Sequence, residues 1–159
     1  DISGIWSLWR VGISGNKNTM IIFPMFIHDD GRKLKPTASY IWDLILSKNT
    51  FIRLENLFDK DPVEVFEKIY ELASLDGKIL FEQIQEKHKS NLKNNQEKMK
   101  KFFKYQSDLI SKIGLENVRK KRENNLINEK RRFENEMNNL DEIFPEFNSI
   151  IILKIKGMS

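Results

Sequence analysis

Apolar and polar residues follow distinct rhythms along this chain of 159 residues. From Gly4 to Ser14 (GIWSLWRVGIS), Ile5, Ser7, Trp9, Val11 and Ile13 fall on one face, and Trp6, Leu8, Arg10 and Gly12 on the other. A period of two in aromatic and β-branched residues predicts a strand. Gly15-Asn16-Lys17-Asn18 supplies a turn, because Gly and Asn tolerate positive φ. Thr19 to His28 (TMIIFPMFIH) is apolar on both faces, the pattern of a strand covered on both sides. Pro24, with no N–H to give to a ladder, marks it as an edge strand or a bulge. Asp29-Asp30-Gly31 then turns the chain.

The rhythm next becomes helical. Thr37 is the expected N-cap, and Tyr40, Ile41, Leu44 and Ile45 recur at helical spacing through about Lys48, with Trp42 and Leu46 widening the stripe. Asn49 to Lys60 is read as a connection that buries Phe51, Ile52, Leu54, Leu57 and Phe58. Asp61-Pro62-Val63-Glu64 is the clearest local signal: Asp61 caps, Pro62 suits the first helical position, and Glu64 can reach back. Phe66, Ile69, Ala73, Leu80, Ile84, Leu92, Met99, Phe103, Leu109 or Ile110, and Ile113 then keep an approximate heptad rhythm. Asp76-Gly77 is where an early kink or break could fall. Unbroken from 62 to 112, this helix would be roughly 75 Å long.

Gly114 is the expected reversal point, with a hinge of one or two residues. Beyond it Leu115, Val118, Leu126, Phe133, Met137 and Leu140 step by threes and fours, predicting a second helix over about 115–141 and an antiparallel helical hairpin. Between Gln85 and Lys98 only Leu92 is plainly apolar, so this stretch is expected to be solvated and held by the partner helix. Pro145 ends the helix, and Asn148 to Lys156, with five Ile or Leu, reads as a closing strand. It needs the early strands as partners. The fold class is therefore α+β: a small antiparallel sheet of about three strands with a packed helix, and a long antiparallel coiled-coil hairpin. Residues 1–80 and 142–159 form the compact body, and 81–141 a projecting arm.

Composition adds where such a chain would work. There is no Cys, which removes disulfides, thiolate metal sites and cysteine nucleophiles and fits a reducing, cytoplasmic setting. The longest apolar run, Met20 to Ile27, is far short of the ~18 residues that span a bilayer, so no membrane partner is expected. The chain begins at Asp1 without a signal-like segment, which reads as a piece of a longer protein. Net charge is only +4, but residues 82–132 hold 15 Lys and Arg against 7 Asp and Glu, leaving the remainder slightly acidic. An acidic partner for the middle of the chain follows from that asymmetry.

Catalytic chemistry is harder to place. The scattered glycines match no phosphate-binding loop. His28 and His88 are isolated, and a solvated His88 and a strand-end His28-Asp29-Asp30 are simpler readings than metal sites. No carboxylate pair sits in an apolar setting, and no serine in a nucleophile elbow. Hence no catalytic, cofactor or metal residue is assigned. Trp6, Trp9, Phe23, Phe26, Tyr40, Trp42, Phe66, Phe144 and Phe147 read mostly as core. Two kinds of candidate remain. Lys100, Lys101 and Lys104 on the first long helix, with Arg119, Lys120, Lys121, Arg122, Lys130, Arg131 and Arg132 on the second, are candidate phosphate contacts; the ordinary solvated exterior of a coiled coil is the competing explanation. Phe102, Phe103 and Tyr105 are a candidate docking patch for a partner or for homodimerisation.

Taken in order, WRVGISG, then FPMFIHDDGRKLKPTASYIWDLIL, the Lys/Glu-rich helical pair and the closing FNSIIILKIKG resemble the region after the motor domains of RapA-like, Swi/Snf-type bacterial helicases. The words that carry the resemblance are Phe23-Pro24-Met25-Phe26, Gly31-Arg32, Pro36-Thr37-Ala38 and Ile41-Trp42-Asp43. The resemblance implies an accessory C-terminal domain beside an ATP-driven translocase on double-stranded nucleic acid. ATP and Mg²⁺ would belong to the motor domains of the parent chain, whose ATP-binding and DEAD/DEAH-type motifs have no counterpart here.

Overall fold

A computed structural model describes residues 2–47 and 61–157. The expected burial of Phe51, Ile52, Leu54, Leu57 and Phe58 lies outside the described residues. The element order is β1 (Ser3–Ile13), β2 (Asn16–His28), α1 (Lys35–Leu46), α2 (Pro62–Ser111), α3 (Glu116–Asp141) and β3 (Pro145–Lys156). The class is α+β with a three-stranded antiparallel sheet and a long helical hairpin. The chain divides into two compact units, Asp1–Ile84 with Pro145–Ser159, and Gln85–Phe144.

In the first unit the strand order is β2-β1-β3, with both pairings antiparallel. The central place of β1 follows from its two apolar faces. Trp6 and Leu8 join Phe26 on one face, beneath Ala38 and Ile41 of α1. Trp9 joins Met25 and Ile27 on the other, against Ile69 and Ala73 of α2. Each fully buried ring of this kind contributes about 1.5–3 kcal/mol. Both indole N–H groups are satisfied: Trp6 Nε1 donates to the Ala38 carbonyl at 3.0 Å, and Trp9 Nε1 to the buried Ser7 hydroxyl at 2.8 Å. Trp6 stacks on Trp42, and Trp9 on Phe147 with ring centroids 5.1 Å apart. Pro24 lies on the edge strand β2, opposite Leu8, as its missing donor requires. Tyr40, Phe66 and Phe144 depart from the core expectation and are exposed.

Three local readings change. The β1–β2 turn is tighter, pairing Ile13 with Asn16 around Ser14 and Gly15, and Gly15 takes φ 76°. Helix α1 starts at Lys35 with Leu34 at its N-cap, not Thr37, and without a side-chain cap. Leu34 donates its N–H to the Phe26 carbonyl at 3.0 Å and packs its side chain on the Trp6 cluster. This tertiary anchor outweighs the roughly 1 kcal/mol preference for a hydroxyl cap. The third is at Gly77, where α2 does not break but continues as one helix of 50 residues. A Cβ at Gly77 would lie 2.8 Å from Phe147 Cε2, so the glycine serves helix-on-strand packing. The start of α2 is as expected: the Asp61 carboxylate accepts from Val63 N–H at 3.0 Å. Among the described residues, no helix is long and apolar enough to cross a membrane.

Candidate nucleic-acid interface

The second unit is a two-helix hairpin with a narrow seam. Leu92, Phe103 and Ile110 of α2 are buried, while α3 has no fully buried residue and offers Leu126, Phe133 and Met137 half-buried. A helix with mostly Lys, Arg, Glu and Asn on its surface can bury only a seam this thin. Antiparallel pairing shows in its contacts: His88 with Leu140, and Phe103 with Phe133 at 6.1 Å between centroids. His88 is not simply solvated, because its Nε2 lies 2.7 Å from the Leu140 carbonyl oxygen, one of the last unpaired carbonyls of α3. The reversal takes four residues, Lys112 to Leu115, instead of one or two. Lys112 and Ile113 N–H donate to the Leu109 and Ile110 carbonyls, closing α2 with a tight final turn. Gly114 has no neighbour that a Cβ would meet.

Charge is strongly polarised along this hairpin. Residues 98–132, the half that contains the reversal, carry 12 Lys and Arg against 4 Asp and Glu. The returning segment 133–144 carries 4 acidic residues and no basic one. The candidate cations fall into four settings. Lys100 of α2 and Lys130 of α3 come together along one groove of about 270 Å³, beside Phe103, Phe133 and Glu134. Arg122 lines another groove of about 320 Å³ with Leu126 and Glu129. Arg119 and Lys120 form intrahelical pairs with Glu123 at 3.9 Å and Glu116 at 2.8 Å, weak interactions at this exposure. Lys101, Lys104, Lys121, Arg131 and Arg132 are exposed and form no ion pair among the described residues. Four consecutive cations from Arg119 to Arg122 step by roughly 100° each, so they surround α3 instead of lining one side of it.

The candidate docking patch divides. Phe103 is buried in the seam and is unavailable to a partner, a correction that its heptad position already implied. Phe102 is 44% exposed and Tyr105 60% exposed. Of the two alternatives Leu109 and Ile110, Ile110 is the buried seam residue, and Leu109, one heptad beyond Phe102, is exposed.

Electrostatic perturbation lies elsewhere, at the β2 end of the first unit. Asp29 is held below the ordinary carboxylate range chiefly by its hydrogen bond from Lys154, and then by that from Ser3. Asp30 is lowered by the Arg32 backbone N–H and by the Arg32 side chain. These contacts tie the turn to β3 and β1 and bring no third ligand to His28. Among the described residues, no group of three or more His, Asp or Glu side chains is placed to hold a metal ion.

The words that carry the helicase resemblance fall on β2, the following turn and α1. Phe26, Ala38 and Ile41 are core residues, and Trp42 packs on Trp6. No family model matches the sequence, and neither a curated protein nor a solved structure matches the chain.

Proposed function

We propose that this chain is a non-catalytic accessory domain of a cytoplasmic, nucleic-acid-dependent ATPase of the Swi/Snf type, and that the reversal half of its hairpin holds nucleic-acid phosphates. The observation that carries the reading is the concentration of 12 cations against 4 acids in residues 98–132. Most of the candidate cations stand exposed, on helices that have little apolar surface to bury. Fixed cations on a rigid scaffold release counterions when they meet phosphates, and that gives affinity without sequence specificity. The segment order supports the motor-associated context. ATP and Mg²⁺ would then be handled by motor domains of the parent chain, with this domain acting on how the motor holds its track.

The test is anisotropy of a labelled DNA duplex titrated with the chain at several salt concentrations. The logarithm of affinity should fall linearly with the logarithm of salt, with a slope near −0.9 for each phosphate engaged. Reversing Arg119, Lys120, Lys121 and Arg122 to Glu should weaken binding about tenfold or more and flatten that slope. No binding at low salt, or a slope unaffected by the reversal, refutes the contact. A second reading, a protein-docking or dimerisation arm, is favoured by exposed Phe102 and Tyr105. It expects a dimer in light scattering that Phe102→Ala with Tyr105→Ala dissociates.

A further inference from the structure

We infer that the hairpin takes single-stranded nucleic acid in preference to duplex, with Phe102 and Tyr105 stacking on unpaired bases. The inference rests on the phosphate-binding reading above and narrows it to a substrate class. Two independent features point to it.

The first is how the cations are distributed. Lys100, Lys101 and Lys104 lie within one arc of about 100° on α2, whereas Arg119 to Arg122 step around the whole of α3. A duplex is stiff over roughly 150 base pairs and would meet one side of a two-helix rod, leaving the remaining cations unused. A single strand bends within a few nucleotides and can follow cations around the rod. A flat anionic lipid surface suits this pattern no better, because membrane-surface helices segregate their cations from their apolar face.

The second feature is the aromatic pair. Phe102 and Tyr105 are three residues apart on one helix, so their Cβ atoms are neighbours at about 5–6 Å. Both rings are open to solvent, with Lys101 and Lys104 beside them in sequence. Phe102 is also held in place: its ring meets Phe103 edge-on at 5.7 Å, and Phe103 is locked in the seam against Phe133. A ring positioned before binding loses little entropy when a base stacks on it. Exposed aromatics interleaved with cations are the arrangement by which proteins hold single strands without reading sequence. Duplex bases, already stacked on one another, would have to unstack at a cost of about a few kcal/mol per step to use these rings.

The experiment compares the full chain with its Phe102→Ala/Tyr105→Ala variant, using labelled oligothymidine, the matching duplex and vesicles containing phosphatidylserine. Circular dichroism checks that the exposed substitutions leave the helices intact. The expected result is tighter binding of oligothymidine than of duplex at equal salt. The double variant should lose about fivefold or more on oligothymidine for each base stacked. Its duplex affinity and its salt slope should not move, and Tyr105→Trp should keep the affinity and show fluorescence quenching on binding. Equal affinity for both nucleic acids, or equal loss on both in the double variant, overturns the stacking inference while leaving the phosphate contact standing. Absence of any nucleic-acid binding at low salt removes both, as does binding to the vesicles alone.

Discussion

The two units use one helix in opposite ways. In the first third of α2, Ile69 and Ala73 are sealed against a sheet whose central tryptophans are fully buried. Beyond Gln85 the same helix meets a single partner, and the buried positions reduce to Leu92, Phe103 and Ile110. A sheet offers a continuous apolar surface, whereas a second helix offers only a stripe, so the area removed from water per residue is smaller in the hairpin. Stability should therefore be concentrated in the sheet-centred unit. The hairpin keeps its length through helical continuity, with most of its charged surface exposed.

This comparison can be broken most sharply at Trp9. Trp9→Ala removes a ring with no exposure at the junction of β1, β3 and α2, and should cost about 3–5 kcal/mol in urea unfolding. Gly77→Ala tests how closely helix and strand approach. Ala gains up to about 1 kcal/mol in helix propensity. Displacing Phe147 should cost about 1–3 kcal/mol, so net destabilisation is expected. A stabilised Gly77→Ala protein would show that the contact is loose. Phe103→Ala probes the hairpin. With its neighbours on α3 only half-buried, the loss should fall below the roughly 3–5 kcal/mol of a sealed core Phe. It should also appear in helical circular dichroism and not in tryptophan fluorescence, since Trp6, Trp9 and Trp42 all belong to the first unit. A matching shift in both signals would mean that the units unfold together. Asp61→Ala should cost about 1 kcal/mol through loss of the cap at Val63.

The smallest effect concerns acid. The carboxyl of Asp29 titrates below its ordinary value, so its contribution to stability is complete above the unfolded aspartate pKa of about 3.9. That contribution is lost as pH falls through the lower folded value. The side chain is nearly half exposed, so the gain is at most about 1 kcal/mol. Asp29→Asn should lower the melting temperature slightly at neutral pH and flatten its decline below about pH 4, measured by thermal unfolding across that range.

How much of this was legible beforehand varies with the range of the cause. The residue-by-residue period distinguished strands from helices, and Pro24 announced an edge, because both are properties of the local backbone. The Asp61-Pro62 start was equally local. Thr37 failed as a cap because a hydrogen bond from Leu34 to β2, eight residues back along the chain, moved the start of the helix. Phe103 belongs both to the heptad seam and to the aromatic cluster with Phe102 and Tyr105. The heptad from Leu92 through Met99 fixes the first role, and two adjacent helical residues cannot share one face. The basic cluster and its spread around α3 were visible in the sequence, but the pairing of Arg119 with Glu123 and of Lys120 with Glu116 was not.

By itself the sequence determined which segments are strands and helices, the absence of cysteine chemistry, and the charge excess around the reversal. Tertiary structure alone decided that β1 is central, that Gly77 passes through a continuous helix beneath Phe147, and that Phe102 and Tyr105 stay open while Phe103 closes the seam. The physical reason is range. Periodicity and caps act over a few residues, whereas burial depends on which distant surface arrives opposite each side chain.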